Sequence, residues 1–294
     1  MSNIIPSTIG YVNYLSNETL SPILDINTRI KEIPFEPSIL VNSTLTKFGS
    51  GCPPDLVIYI HGFNRDDVEA QEEFNRIQTS LLNNSYRIPL VGVSWDSKVL
   101  WPIAKDNAEA NGLLLEQYLV SLQEKCPDTK IRIVAHSLGA AIVDTAVFNL
   151  SNNPEWNGKI SSVHLLGAAI DNKLISNHTL AIEHIVDKFY NLYNPEDDGL
   201  KFNQIFENHN PLGLVGAPNG FNNTNYIDTN VAYEIPPVSD ADGDGIIAEC
   251  FEELNVAKLW GDNHCGYIGF RDPASGSLSD DGAINIVVRD WIKS

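Results

Sequence analysis

Between residues 55 and 193, short apolar runs alternate with longer stretches of helical character, and this alternation restricts the fold more than any other feature of the chain. The runs are LVIYI (Leu56 to Ile60), PLVGVSW (Pro89 to Trp95), IRIVA (Ile131 to Ala135), SSVHLLGAA (Ser161 to Ala169) and KFYNLY (Lys188 to Tyr193). They are apolar on both faces, as strands must be when helices cover both sides of a parallel sheet. The stretches between them, 66–82, 107–125, 138–150 and 174–186, read as helices, with Leu113, Leu114, Tyr118 and Leu122 at helical spacing in the second. Strands alternating with helices build βαβ units, so the expectation is an α/β fold with a doubly covered, mostly parallel sheet.

Beyond residue 199 the pattern loosens. Residues 208–225 are rich in Gly, Pro and Asn and read as loop. Residues 225–235 read as a further strand, 239–253 are an acidic run, and 283–292 close the chain as a helix. Residues 1–54 are expected to add an N-terminal extension with edge strands, for example over 28–33. The main domain is then 55–294, with 236–262 as an insertion.

Composition narrows the function classes. The chain has 294 residues, 43% of them hydrophobic, which is enough for a full core and excludes a disordered chain. No apolar run reaches the roughly 18 residues a membrane-crossing helix needs. The net charge of −19 repels polyphosphate and anionic lipid, so a nucleic-acid surface is not expected. Residues Met1 to Gly10 show no basic segment followed by an apolar stretch, which points to the cytoplasm, or to secretion if a leader was removed.

The strongest local signal is IRIVAHSLG, a strand running straight into a helix. Ser137 is flanked two residues away on each side by small residues, Ala135 and Gly139. Such a turn is tight, so both flanks must be small for the backbones to approach. The serine is left at the carboxyl edge of the sheet, beside a helix N-terminus that favours developing negative charge. A second signal stands in register with it: His61-Gly62-Phe63 directly follows LVIYI. The placement resembles that of α/β-hydrolases, in which an HG turn there supplies a backbone N–H to the oxyanion hole; the resemblance implies Phe63 for that N–H and Leu138, just after the serine, for the other.

With those motifs in place, residues 55–294 resemble the α/β-hydrolase superfamily. HGFN (His61 to Asn64), SWDS (Ser94 to Ser97), DNAEANG (Asp106 to Gly112) and AHSLG (Ala135 to Gly139) are similar to a group of esterase- or lipase-like serine hydrolases of unassigned substrate. The resemblance implies the α/β-hydrolase fold, an insertion before the catalytic histidine, and a chain order of Ser, acid, His. Of the seven histidines, His61 and His136 belong to the motifs, His164 lies in a strand, and His178 and His184 precede the acid position. His209 follows the acid candidates with no strand between. His264, in GDNHCGY, stands where the resemblance puts the base. The acid follows KFYNLY: Asp197 matches the family position, with Asp198, Glu196 and, after the previous strand, Asp171 as alternatives. Trp95 and Trp101 are candidates for an apolar acyl pocket or for core packing.

The run Asp240-Ala241-Asp242-Gly243-Asp244-Gly245-Ile246-Ile247 has the opening spacing of a calcium loop. Asp240, Asp242 and Asp244 supply carboxylates and Ile246 a carbonyl. Phe251 stands where a bidentate Glu is usual, so Glu249, or Glu252 and Glu253, would complete the shell. The expectation is a structural Ca²⁺, with a metal-free acidic loop as the alternative and no organic cofactor. For the four cysteines, the resemblance implies that Cys52 and Cys126 precede neighbouring strands, while Cys250 and Cys265 share the last loop region. The pairs 52–126 and 250–265 fit that placement. Four reduced thiols are the alternative where no leader is seen.

The expected function is hydrolysis of carboxylic esters, on a small-molecule or lipid substrate, through an acyl-enzyme. An acyltransferase or amidase using the same three residues is the second reading, and a non-catalytic binding protein on this fold the third.

Overall fold

The computed structural model describes residues 9–13, 52–235, 263–271 and 278–293. Its centre is a seven-stranded sheet. In chain order the elements are β1 (Ile9–Asn13), β2 (Asp55–Ile60), α1 (Asp67–Asn83), β3 (Leu90–Val93), α2 (Trp101–Lys125), β4 (Lys130–His136), α3 (Gly139–Asn152) and β5 (Ser162–Leu166). There follow α4 (Lys173–Asn177), α5 (Thr179–Ile185), β6 (Phe189–Tyr193), α6 (Asp198–Glu207), α7 (Leu212–Val215) and β7 (Tyr226–Asn230). A 3₁₀ turn (His264–Ile268), a short hairpin of β8 (Phe270–Arg271) and β9 (Leu278–Asp280), and α8 (Ile284–Lys293) complete it.

The strand order is β1-β3-β2-β4-β5-β6-β7. All neighbours from β3 to β7 pair parallel, and β1 adds antiparallel to β3 as an edge. Side chains alternate across the sheet, as the pleat requires. Leu56, Ile58 and Ile60 of β2 face a core shared with α2, α3 and α5. Val57 and Tyr59 of the same strand face α1 and α8. Helices thus cover both faces, which is why the strands are apolar throughout. The α/β-hydrolase fold expected from the sequence is the fold observed.

Several boundaries differ from the sequence reading, each for a tertiary reason. The helix expected over 107–125 starts earlier, at Trp101, with a proline in its first turn and no side-chain cap to mark the start. The helix expected over 174–186 breaks at His178 into α4 and α5. The His178 ring is drawn instead to α3, where it bonds Asp144 Oδ1 at 2.7 Å and stacks on Phe148. A helix that the sequence hid, α6, begins at Asp197, whose side chain caps it by accepting from the Leu200 N–H. The stretch 208–225 contains the short helix α7, and the strand expected over 225–235 is confined to Tyr226–Asn230. The edge strand expected near 28–33 lies outside the described residues; among the described residues, β1 is the N-terminal segment that pairs with the sheet.

Strands β2 and β4 are neighbours, with Leu56 opposite Ile131 and Ile60 opposite Ala135. Their entrances are joined by the Cys52–Cys126 disulfide, with Cα atoms 5.5 Å apart, and by the Thr129 Oγ1 bond to the Pro53 carbonyl. The alternative of reduced thiols therefore does not hold for this pair. Cys250, and with it the pairing to Cys265, lies outside the described residues.

Candidate active site

The carboxyl edge of the sheet gathers the residues singled out in the sequence. Ser137 follows β4 directly and holds a backbone φ of 54°, in the left-handed region that a side chain seldom adopts. Strain of this kind costs on the order of 1–3 kcal/mol and persists where neighbours hold it in place. Here the Ser137 N–H donates to the Leu166 carbonyl and the Ser137 carbonyl accepts from Ala169, so β5 locks the turn. The need for a small residue at Gly139 is borne out, although the neighbour is a different strand. A Cβ there would stand 2.7 Å from the His61 carbonyl oxygen and 2.9 Å from that of Ile60, at the end of β2.

His264 opens the 3₁₀ turn. Its Nε2 lies 2.8 Å from Ser137 Oγ and its Nδ1 lies 2.8 Å from Asp197 Oδ2. Asp197 is fully buried, and its other oxygen accepts from the Leu200 N–H at 2.8 Å. A carboxylate bonded in this way accepts a proton-bearing Nδ1, which leaves Nε2 as the acceptor for the serine proton. Asp198 and Asp171 are elsewhere. The Asp198 carboxylate pairs with Lys201 at 3.2 Å, and Asp171 Oδ1 accepts from the Lys173 N–H. Glu196 also turns to Lys201. His209 is not brought to the serine, and His164 is fully buried against Tyr190 and Trp291.

On the opposite side of Ser137 lies the HGFN loop. Among the described residues neither the Phe63 nor the Leu138 N–H has an acceptor, so both are available to a developing oxyanion. The other motif residues hold this loop. The Trp95 N–H donates to His61 Nε2 at 3.1 Å, and the Trp95 indole N–H donates to the His61 carbonyl. That fixes the His61 proton on Nδ1, and burial lowers the pKa of the ring. The Asn64 N–H reaches the Ser97 carbonyl, and Ser97 Oγ accepts from the Arg65 N–H at 2.9 Å. Asn107 of α2 donates to the Asp96 carbonyl. The SWDS and DNAEANG segments are thus supports for the HG turn. Trp95 is core, while Trp101 stands partly exposed against Phe63 with ring centroids 4.9 Å apart.

Two further features escaped the sequence reading. Asn263, buried next to the base, accepts from the Asp198 N–H at 3.0 Å and donates to the Glu196 carbonyl at 2.8 Å. It clamps the histidine loop to both sides of Asp197. His136, just before the serine, has Nε2 3.0 Å from the His264 carbonyl oxygen, so it must donate there. Burial and the neighbouring His264 lower its pKa to about 4, and it is neutral at ordinary pH. Below it, the Glu73 carboxylate accepts from Tyr59 Oη and pairs with Arg65, whose Nη2 in turn reaches Cys265 Sγ. Burial pushes the Glu73 pKa up, but the Arg65 charge overrides it and holds the carboxyl at about 2. The signal for both features was present, a polar residue beside each motif residue, but polar neighbours are common in loops.

Asp240, Asp242, Asp244, Ile246 and Glu249 lie outside the described residues. Among the described residues no group of His, Cys, Asp and Glu is arranged to hold a metal ion. No helix among them is long and apolar enough to cross a membrane.

Among solved structures, similarity is distant. A Trichoderma reesei cutinase in complex with a phosphonate inhibitor is 20% identical over 45% of this chain and 63% of its own, with a TM-score of 0.29. An alpha-beta serine hydrolase homologue from Coxiella burnetii is 12% identical over 62% of this chain and 77% of its own, with a TM-score of 0.37. A Pyrobaculum calidifontis esterase is 10% identical over 60% of this chain and 67% of its own, with a TM-score of 0.32. The chain thus spans less than two thirds of the cutinase's length. No curated protein matches it. One family model does, over residues 45–247, a span that takes in the HG turn, the serine elbow and Asp197. On that match and the fold, the chain belongs to the alpha/beta hydrolases of unknown function (DUF900).

Proposed function

We propose that the protein is a serine hydrolase of carboxylic esters. The observation that carries this is the continuous relay from Ser137 Oγ through His264 to Asp197, with 2.8 Å at each step, beside two backbone N–H groups that have no acceptor among the described residues. In the forward step His264 Nε2 takes the serine proton as Oγ bonds the acyl carbon. The Phe63 and Leu138 N–H groups hold the oxyanion. His264 then gives its proton to the leaving alkoxide, and the alcohol departs from an acyl-enzyme. Water repeats the sequence, with its proton going to Nε2 and then to Ser137 Oγ as the acid leaves. Asp197 accepts the Nδ1–H throughout and steadies the imidazolium.

The test is labelling. A fluorophosphonate should modify the protein once, at Ser137, and abolish hydrolysis of p-nitrophenyl acetate. Ser137→Ala should take no label. Equal labelling of that variant, or no label and no turnover in the intact chain, would remove the reading.

A further inference from the structure

An ion pair lies buried beneath the site and takes no part in the proton relay. Arg65 and Glu73 are 6% and 1% exposed, and they bond through Arg65 Nε and Glu73 Oε1. Stability alone does not explain such a pair. Taking two charges out of water costs about as much as their attraction returns, and apolar side chains of the same volume often fill such a place equally well. What apolar side chains cannot do is hold several polar groups in fixed directions, and a guanidinium can.

The three nitrogens of Arg65 reach three parts of the chain. Nε meets Glu73 of α1, whose other oxygen accepts from Tyr59 Oη of β2 at 2.8 Å. Nη1 donates to the Asn64 carbonyl at 3.2 Å, and Nη2 reaches Cys265 Sγ at 3.3 Å. The Nη1 contact closes the turn that carries Phe63. Asn64 holds a φ of 59°, in the left-handed region, and is gripped on both sides: its N–H donates to the Ser97 carbonyl at 3.1 Å, and its carbonyl accepts from Arg65. The Nη2 contact falls on the residue after His264, whose own carbonyl accepts from His136 Nε2 at 3.0 Å. One planar group, anchored to α1 and β2 through Glu73, thus touches the oxyanion turn on one side and the base turn on the other. The residues it joins, Arg65 and Cys265, are 200 positions apart in the chain.

We infer that Arg65 and Glu73 are positioning residues: the pair sets how the Phe63 N–H and His264 Nε2 stand relative to each other across Ser137, and what it adds over an apolar filling is rate. The inference rests on the serine-hydrolase reading above. In that reaction the oxyanion forms at the Phe63 and Leu138 N–H groups while the serine proton moves to Nε2, so both turns must be correctly placed about one acyl carbon. A misplacement of about 1 Å costs on the order of 10²-fold in rate.

The test uses the full chain, p-nitrophenyl acetate and a fluorophosphonate, with two variants. Arg65→Lys keeps a charge opposite Glu73 but has no fork to reach Asn64 and Cys265 together. The triple variant Arg65→Met, Glu73→Leu, Tyr59→Phe removes both charges and the hydroxyl that Glu73 accepts from, so no charge is left unpaired. The triple variant should melt within a few degrees of the parent. Both variants should lower kcat and the rate of labelling at Ser137 together, by about 10-fold or more. Parent-like kcat and labelling in either variant overturns the inference. So does a lowered kcat with labelling at the parent rate, because the geometry for attack would then be intact. A triple variant whose Tm falls in step with its kcat overturns it as well, and makes the pair a stability element. In each of those cases a parent chain that turns over ester and takes the label keeps the hydrolase reading. A parent with neither turnover nor label removes that reading and the positioning role with it.

Discussion

Three aspartates compete for one role in the sequence, and single hydrogen bonds separate them. Asp197 bonds His264 and caps α6 at once, whereas Asp198 serves Lys201 on the surface and Asp171 caps a loop. Asp197→Asn should therefore lower kcat by about 10⁴, because an amide opposite Nδ1 favours the wrong imidazole tautomer. Asp198→Asn and Asp171→Asn should stay within a few-fold of the parent. Steady-state kinetics on p-nitrophenyl acetate rank the three variants, and a larger loss in either of the others would displace Asp197. One residue explains why the local sequence hid the acid's helix. Gly199, a poor helix former in the first turn, sits close against the base: a Cβ there would lie 3.0 Å from His264 Cβ.

At the scale of elements, the loop that carries the acid also holds both ends of the acidic segment. Asn194 donates to the Ile235 carbonyl at 3.2 Å, where the described chain stops, and Asn263 donates to the Glu196 carbonyl, where it resumes. His264 is the residue after that second anchor. For residues 236–262 we keep the calcium reading of Asp240, Asp242 and Asp244 as a proposal from their spacing. If the ion draws these carboxylates together, it also relieves their mutual repulsion just before the base, and small displacements of a catalytic group are costly. Chelation should then lower both the Tm and kcat, excess Ca²⁺ should restore them, and Asp242→Ala should reproduce the chelated state. Identical melting and kinetics in chelator and in millimolar Ca²⁺ would return the run to a solvated loop.

Across the molecule, burial lowers the pKa of three histidines, His61, His136 and His164. The unfolded chain binds protons that the folded chain refuses between the folded values, about 4 for His136, and the ordinary 6.5. Stability therefore rises with pH through that window and is lost as pH falls through it. Glu73, held at about 2, adds a loss of the same sign below its ordinary 4.5. His178 acts the other way. Its bond to Asp144 raises its pKa, so its contribution is complete below 6.5 and fades as pH rises through the folded value. Three groups against one predict a Tm that declines steadily between about pH 7 and about pH 4. A melting temperature that is constant over that range would show that the three rings are not held neutral in the core.

What the sequence determined by itself is local in origin. The alternation of runs follows from burial on both faces, and the elbow at Ser137 and the turn at His61 follow from backbones that must come close. Both can be read because the residues that need each other are neighbours in the chain. Even His264 could be picked out by order along the chain once the fold was named. Tertiary structure decided the rest. It chose Asp197 over its neighbour by the side of a helix start on which each carboxylate falls. It used SWDS to pin the HG turn, broke a helix at His178 for a bond to Asp144, and set Asn263 as the clamp on the base. Each of these depends on hydrogen bonds between segments distant in the chain. Such a bond leaves no periodicity or composition in the sequence, because its partner is fixed only when the sheet brings the two loops to the same edge.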